Sequence, residues 1–302
     1  IGFSTAAPGS AAVAWSLNNA GAVLETYSAT SIELGSLSGN SGTLRNSGGG
    51  PATVTVGALS TSTTFGAVMA DNTSSLGLVK VGTGTLTLTG NNTFSGGTIV
   101  SNGAVLVQGS TASAGSGSVT VRAGALFGGS GNANGAVTVD LGGTIRAAGG
   151  IGAPPLNVGT LTLGSGSTDN TTSEVDAFLN GKIVCAGGLT VNGTNVINII
   201  GAVPAVGVYD LITYTGAIGG NGFSGFKLGV LPPGVVANLQ DSGTAIQLNV
   251  TQTGESGIWV GNVLGQWNLA GGLEWKGAIS GNPQPYLNLY PAIFNDSASS
   301  FT

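Results

Sequence analysis

The chain has 302 residues, 56 of them glycine, with 7 basic and 12 acidic side chains and a formal net charge of −5. Only 6% of residues are charged and 41% are hydrophobic. That describes a chain that folds around a core, neither a disordered polar segment nor collagen, whose glycine recurs at every third position. The lack of any histidine excludes a Ser-His-Asp triad, an imidazole zinc ligand and imidazole acid–base chemistry. The basic residues, Arg45, Lys80, Arg122, Arg146, Lys182, Lys227 and Lys276, stand singly. They form no patch able to neutralise several phosphates, so nucleic acid is not an expected partner.

The chain opens at Ile1 without the charged and apolar regions of a signal peptide, so any leader is expected to have been removed or to lie outside it. No run of about 18 apolar residues occurs, so no membrane-spanning helix is expected. Residues 1–15 are apolar and low in charge, which is not the composition of a polar cap. Helix-forming stretches are rare throughout. From residue 52 onward, short runs alternate Val or Leu with Thr: Ala52–Val56, Thr85–Thr89, Ser118–Val121, Ala136–Val139 and Thr160–Leu163. Each predicts a strand with one buried face, and the Gly-rich segments between them predict tight turns.

Leu88, Val107, Leu126 and Ile145 succeed one another at steps of 19. The segments Val100–Gly103, Val121–Gly124 and Val139–Gly142 each read as strand then glycine turn. Similar strands at about 20 residues per repeat predict like stacking on like in parallel, a β-solenoid, over an antiparallel sandwich that needs no such period. Past residue 165 the period fades, and strands at Val196–Ile200, Val208–Tyr214 and Ala245–Val250 are more loosely spaced. The expected organisation is therefore a solenoid over 1–165, its continuation or an irregular β region over 166–255, and a Trp- and Tyr-rich β segment over 256–302 that plugs the coil end or begins another module.

The stretch Leu78-Val-Lys80-Val-Gly82-Thr-Gly84-Thr-Leu86-Thr-Leu88-Thr-Gly90-Asn-Asn92-Thr-Phe94-Ser-Gly96-Gly97-Thr98 resembles the autotransporter-associated β-strand repeat, also called the passenger-associated transport repeat. That family's pattern is a Lys-x-Gly-x-Gly-x-Leu-x-Leu run followed by Gly-x-Asn-Thr-[Tyr/Phe]-x-Gly-Gly-Thr. Its residues have a plain physical reading: Leu86 and Leu88 point inward, Asn92 bonds backbone at a corner, Phe94 fills the interior, and Gly96 and Gly97 make the next bend. The resemblance is strongest over 76–150 and extends over most of 30–302. It implies a right-handed parallel β-helix exported to a bacterial surface and serving as structural or adhesive material. The sequence has no translocator barrel strands with aromatic girdles, which implies a passenger fragment or another export route.

Candidate sites are few. Glu174 and Asp176 lie two apart on one strand face with Lys182 close in sequence, the nearest approach to the paired carboxylates of glycan-cleaving β-helices. The alternative is two solvated charges. The segment Gly128-Gly-Ser-Gly-Asn-Ala133 places Ala where a calcium-binding nonapeptide needs Asp, and no glycine-rich stretch ends in the Lys-Ser/Thr of a phosphate loop. No metal, nucleotide or other cofactor is expected. Cys185, the one cysteine, sits among Ile183, Val184 and Ala186 and reads as a buried hydrophobe. Trp259, Trp267 and Trp275, at steps of eight, with Tyr286, Tyr290 and Phe294, read as an end plug or as aromatic surfaces for sugar rings. Both ends lack cap-like polarity, so the partners expected are further copies joined head to tail, or further modules of a longer chain, with surface glycans as a second class. The function expected is a non-enzymatic extracellular fibre, stalk or sheath. An adhesin or glycan-binding module comes second and a polysaccharide lyase or hydrolase third.

Overall fold

The computed structural model describes residues 2, 9–148, 154–164, 181–201 and 204–253, and the backbone of the strands Ser173–Phe178, Gly257–Trp259, Trp275–Gly277, Pro283–Gln284 and Ala292–Phe294. These residues are nearly all β, with one 3₁₀ turn at Gly222–Gly225 and no α-helix among them. They form a β-solenoid of about seven turns, in which the chain visits three faces in rotation and each strand pairs in parallel with the one a full coil away.

On the first face the ladder runs Ile32, Val54, Leu78, Thr98, Val119, Val137, Leu161 and Leu189, each the register partner of the next. Two residues further along each strand, a second inward column runs Leu34, Val56, Lys80, Val100, Val121, Val139, Leu163 and Val191. All of these side chains are buried. Between the two columns stand the outward Thr55, Thr120, Thr138, Thr162 and Thr190, each half-buried, as period-two alternation requires. The core is thus a set of columns along the axis, aliphatic on aliphatic except at Thr98 in the first column and Lys80 in the second.

The corner after the first face repeats as faithfully. Gly82, Gly103, Gly124, Gly142 and Gly193 all adopt a left-handed φ of 65–74° there, and Ser60 is left-handed too, at φ 55°, in an earlier coil. At Gly103 a Cβ would fall 2.4 Å from the Gly84 carbonyl oxygen and 2.5 Å from that of Gly82, so both conformation and stacking demand glycine.

The second face corrects the constant 19-residue step. Val107 does pair with Leu88, 19 residues back, but its next partner is Gly129, 22 on. Leu126 pairs with Ala104 and Thr144 and faces outward, half-buried. The inward column runs Leu86, Val105, Phe127 and Ile145, with Leu88, Val107, Gly129 and Ala147 beside it. The coils differ in length, from 18 residues between Phe127 and Ile145 to 30 between Ile145 and Val175 and 31 between Asn195 and Phe226. An odd error in the step puts a residue on the opposite face.

Parallel pairing continues through Ser173–Phe178, Asn195–Ile200 and Phe226–Leu228 on the second face. On the third, Gly207–Thr213 pairs in parallel with Ile183–Cys185, and its other edge takes Ala245–Gln252 antiparallel, which in turn takes Val236–Asp241 antiparallel. A hairpin therefore terminates this ladder, where the sequence suggested no cap. At the opposite end Gly9–Glu25 follows Ser31–Asn46 in parallel along its length, and Gly2 forms a parallel bridge to Glu25. Four short strands from Gly257 onward make a separate sheet.

Candidate functional site

The segment from Leu76 to Val107 carries the densest set of specified contacts. Strand Leu76–Lys80 turns Leu76, Leu78 and Lys80 inward. Lys80 is 1% exposed, between Val56 and Val100 in an otherwise aliphatic column. Its Nζ bends to the corner and donates to the carbonyl oxygens of Val81 (2.6 Å), Gly82 (2.9 Å) and, in the next coil, Asn102 (3.4 Å). Burial pushes its pKa down to about 8.

Leu86, Leu88 and Phe94 are fully buried. Asn92, 2% exposed, spans three coils: its Oδ1 accepts from the Met69 amide of the coil before (2.7 Å), and its Nδ2 donates to the carbonyls of Gly90 (3.2 Å) and of Ser113 in the coil after (2.6 Å). At the third corner a side-chain amide thus replaces backbone rungs that the turn cannot supply. Gly96 donates to the Leu76 carbonyl and Gly97, at φ 83°, accepts from the Leu78 amide, so the pair bends the chain into the next first-face strand. Stacked on Phe94 is Gly115, where a Cβ would come within 3.0 Å of the ring.

Sequence reasoning missed an earlier counterpart of Asn92. Asn46 is fully buried, accepts from Thr26 Oγ1 (2.7 Å) and the Gly48 amide (2.9 Å), and donates to the carbonyls of Gly50 (2.9 Å) and Ser75 (2.8 Å). The two share little beyond an Asn placed between an alternating strand and a run of glycines, two residues before Gly48 in one case and four before Gly96 in the other. Later coils use similar chemistry half-buried on the third face, with Asn157 donating to Asn132 at 3.0 Å.

Five of the described acids are engaged in structural contacts, while Glu33 stands exposed on its strand. Glu25 takes hydrogen bonds from Ser47 and Arg45, which hold its carboxyl below the usual range. At Asp71, burial works to raise the pKa but is outweighed by hydrogen bonds from Ser95 and the Leu76 amide. Asp140 pairs with Arg122 at 2.7 Å, Asp210 accepts from Gln247, and Asp241 accepts from Tyr214, whose hydroxyl is pushed up to about 12 by burial and that acceptor. Glu174 and Asp176 stand in register with Thr144 and Arg146 on the second face, so the backbone sets Asp176 beside a basic residue. Lys182 is half-buried and precedes the third-face strand Ile183–Cys185. The Cys185 thiol, 2% exposed, is pushed up to about 12 by burial. Among the described residues no group of three or more Cys, Asp and Glu is placed to hold a metal ion.

Of the aromatic residues toward the C-terminus, the backbone sets Trp259 opposite both Trp275 and Phe294 across three strands. Trp267, Tyr286 and Tyr290 lie outside the described residues.

Residues 78–107 match the family model described as the passenger-associated transport repeat, and the match runs from the strand that carries Lys80 to the column position Val107. A search of curated proteins gave no match. The chain therefore carries a passenger-associated transport repeat at 78–107 within a parallel β-solenoid, a combination that fits an autotransporter passenger-like surface protein.

Proposed function

We propose that this protein is a secreted, non-enzymatic structural element of a bacterial cell surface, a fibre, stalk or sheath built by head-to-tail association of solenoids. The observation that carries the reading is the outer edge of Gly9–Glu25. Its 17 residues are uncharged until Glu25, Val13 is 46% exposed, and Gly2 forms a parallel bridge to Glu25 at its end. A long strand edge of this kind is a template for another chain, and a heterologous contact that does not close makes filaments. The far end of a second copy supplies the complementary edge at Val236–Asp241, the outer strand of the terminating hairpin. Stacked ladders give such a rod stiffness, and its outward Thr, Ser and Asn side chains keep it in solution. The acids held in structural contacts support a non-enzymatic role.

Electron microscopy of the native protein at several dilutions tests this. Filaments with an axial repeat of one subunit are expected; isolated rods at the highest concentration overturn the fibre reading. A second reading, glycan binding, is favoured by the row Phe294, Trp259 and Trp275 set side by side by backbone register. It predicts sugar binding that is lost in Trp259→Ala.

A further inference from the structure

Lys80 is out of place by every rule of its column. Its counterparts Leu34, Val56, Val100, Val121, Val139, Leu163 and Val191 are aliphatic, and an aliphatic residue at 80 would fill the same space. No titratable side chain offsets its charge: strands Ala52–Val56 and Thr98–Val100, the rest of Leu76–Lys80, and the turns 57–62, 81–84 and 101–103 contain none. Among the described residues the ammonium's hydrogen-bond acceptors are backbone carbonyls, which converge on it at this corner. From the coil below, the residue facing it is Gly57, at φ 115°, where a Cβ would come within 3.2 Å of Nζ.

What such an arrangement accomplishes follows from the strand pattern. Ala52, Val54 and Val56 face Leu76, Leu78 and Lys80, and these in turn face Thr98 and Val100, all inward at every second position. Sliding one strand by two residues keeps every inward side chain inward, so hydrophobic burial scarcely opposes it. With Thr55 opposite Val81, Lys80 would lie against Val54 in mid-strand, where the carbonyls are consumed in the ladder. An ammonium stranded there is costly. We propose that Lys80 is the register pin of the repeat: its ammonium is tolerated only in the corner cage, and so it fixes which residues of adjacent coils pair. The lysine serves specificity rather than net stability, the role a lone buried polar residue can play in an otherwise apolar seam.

The test is Lys80→Met, read with two cysteine pairs on the outward face: Thr55→Cys with Val79→Cys reports the native register, and Thr55→Cys with Val81→Cys the two-residue slip. Refolded and then oxidised, the protein with Lys80 is expected to form the first disulfide and not the second. In Lys80→Met the second should rise at least about tenfold, while the midpoint of unfolding does not fall. Lys80→Leu repeats the experiment with a different apolar shape. Native-only crosslinking in either folded variant overturns the proposal. Failure of both variants to fold overturns it too, since the lysine would then be needed for the fold itself.

Discussion

Replacing Asn92 by Ala removes a side chain that is 2% exposed and bonded to backbone in three coils. The Met69 amide and the Ser113 carbonyl lose partners at 2.7 and 2.6 Å in a buried corner. Each orphaned buried group costs about 1–3 kcal/mol, so the two together cost about 2–6 kcal/mol, and the longer bond to Gly90 adds little. Because a solenoid is stabilised coil by coil, the loss should appear locally before it appears globally. Hydrogen exchange followed residue by residue is the assay. The Met69 amide should lose roughly tenfold or more of its protection, since each 1.4 kcal/mol is tenfold, with amides of the Leu189–Val191 coil unchanged. Asn91, exposed beside it, is the control, and Asn91→Ala should leave Met69 protected. Equal protection of Met69 in both variants would refute the claim that the Asn92 amide closes the corner.

Phe127→Ala should cost about 3–5 kcal/mol in chemical denaturation and Leu126→Ala less than about 1 kcal/mol, because the former is fully buried and the latter faces outward; the reverse order would restore the constant 19-residue step. Lys80, at about 8 in the fold, is neutral there while still protonated in the unfolded chain up to about pH 10.4. Stability should therefore rise between pH 8 and 10, by about 1–3 kcal/mol, in a denaturant–pH series, and Lys80→Met should abolish the rise. Tyr214, raised to about 12, acts oppositely: the unfolded phenol ionises first, so stability falls above pH 10, and Tyr214→Phe should flatten that limb. Asp71, lowered in the fold, contributes stability that is lost as pH falls through its folded pKa, a loss missing in Asp71→Asn. Cys185, 2% exposed, should resist a thiol reagent in the native protein and react fully in denaturant.

Much of the solenoid could be read from the sequence, for specific reasons. Val100, Val121 and Val139 with their turn glycines 103, 124 and 142 align in the chain because they stack in space, and the left-handed corner admits few residues other than glycine. Leu126 misled because coil length is not conserved from coil to coil: connections between coils absorb extra residues, while strands, whose faces alternate, convert an odd error into a reversal of side. Lys80 was visible as a motif letter, yet its burial was not, since a lysine at the end of an alternating run reads as a solvent-facing terminus. Asn46 escaped notice because the corner role of an Asn depends on which backbone groups the adjacent coils leave unpaired, and that is a property of three coils together. The antiparallel turn at Ala245–Gln252 leaves no mark in a strand's composition, because strand direction is set by the connection and not by the residues that pair.

A column of 18-residue and 30-residue coils on one cross-section separates two kinds of freedom in the chain. The strands and the stacked glycine and asparagine corners are constrained along the axis by what lies directly above and below them, whereas the longer connections between coils need only close. New sequence can enter at such a connection without disturbing a rung, so the surface of this rod can diversify while its interior stays the same, as a trellis keeps its lattice whatever is grown on it.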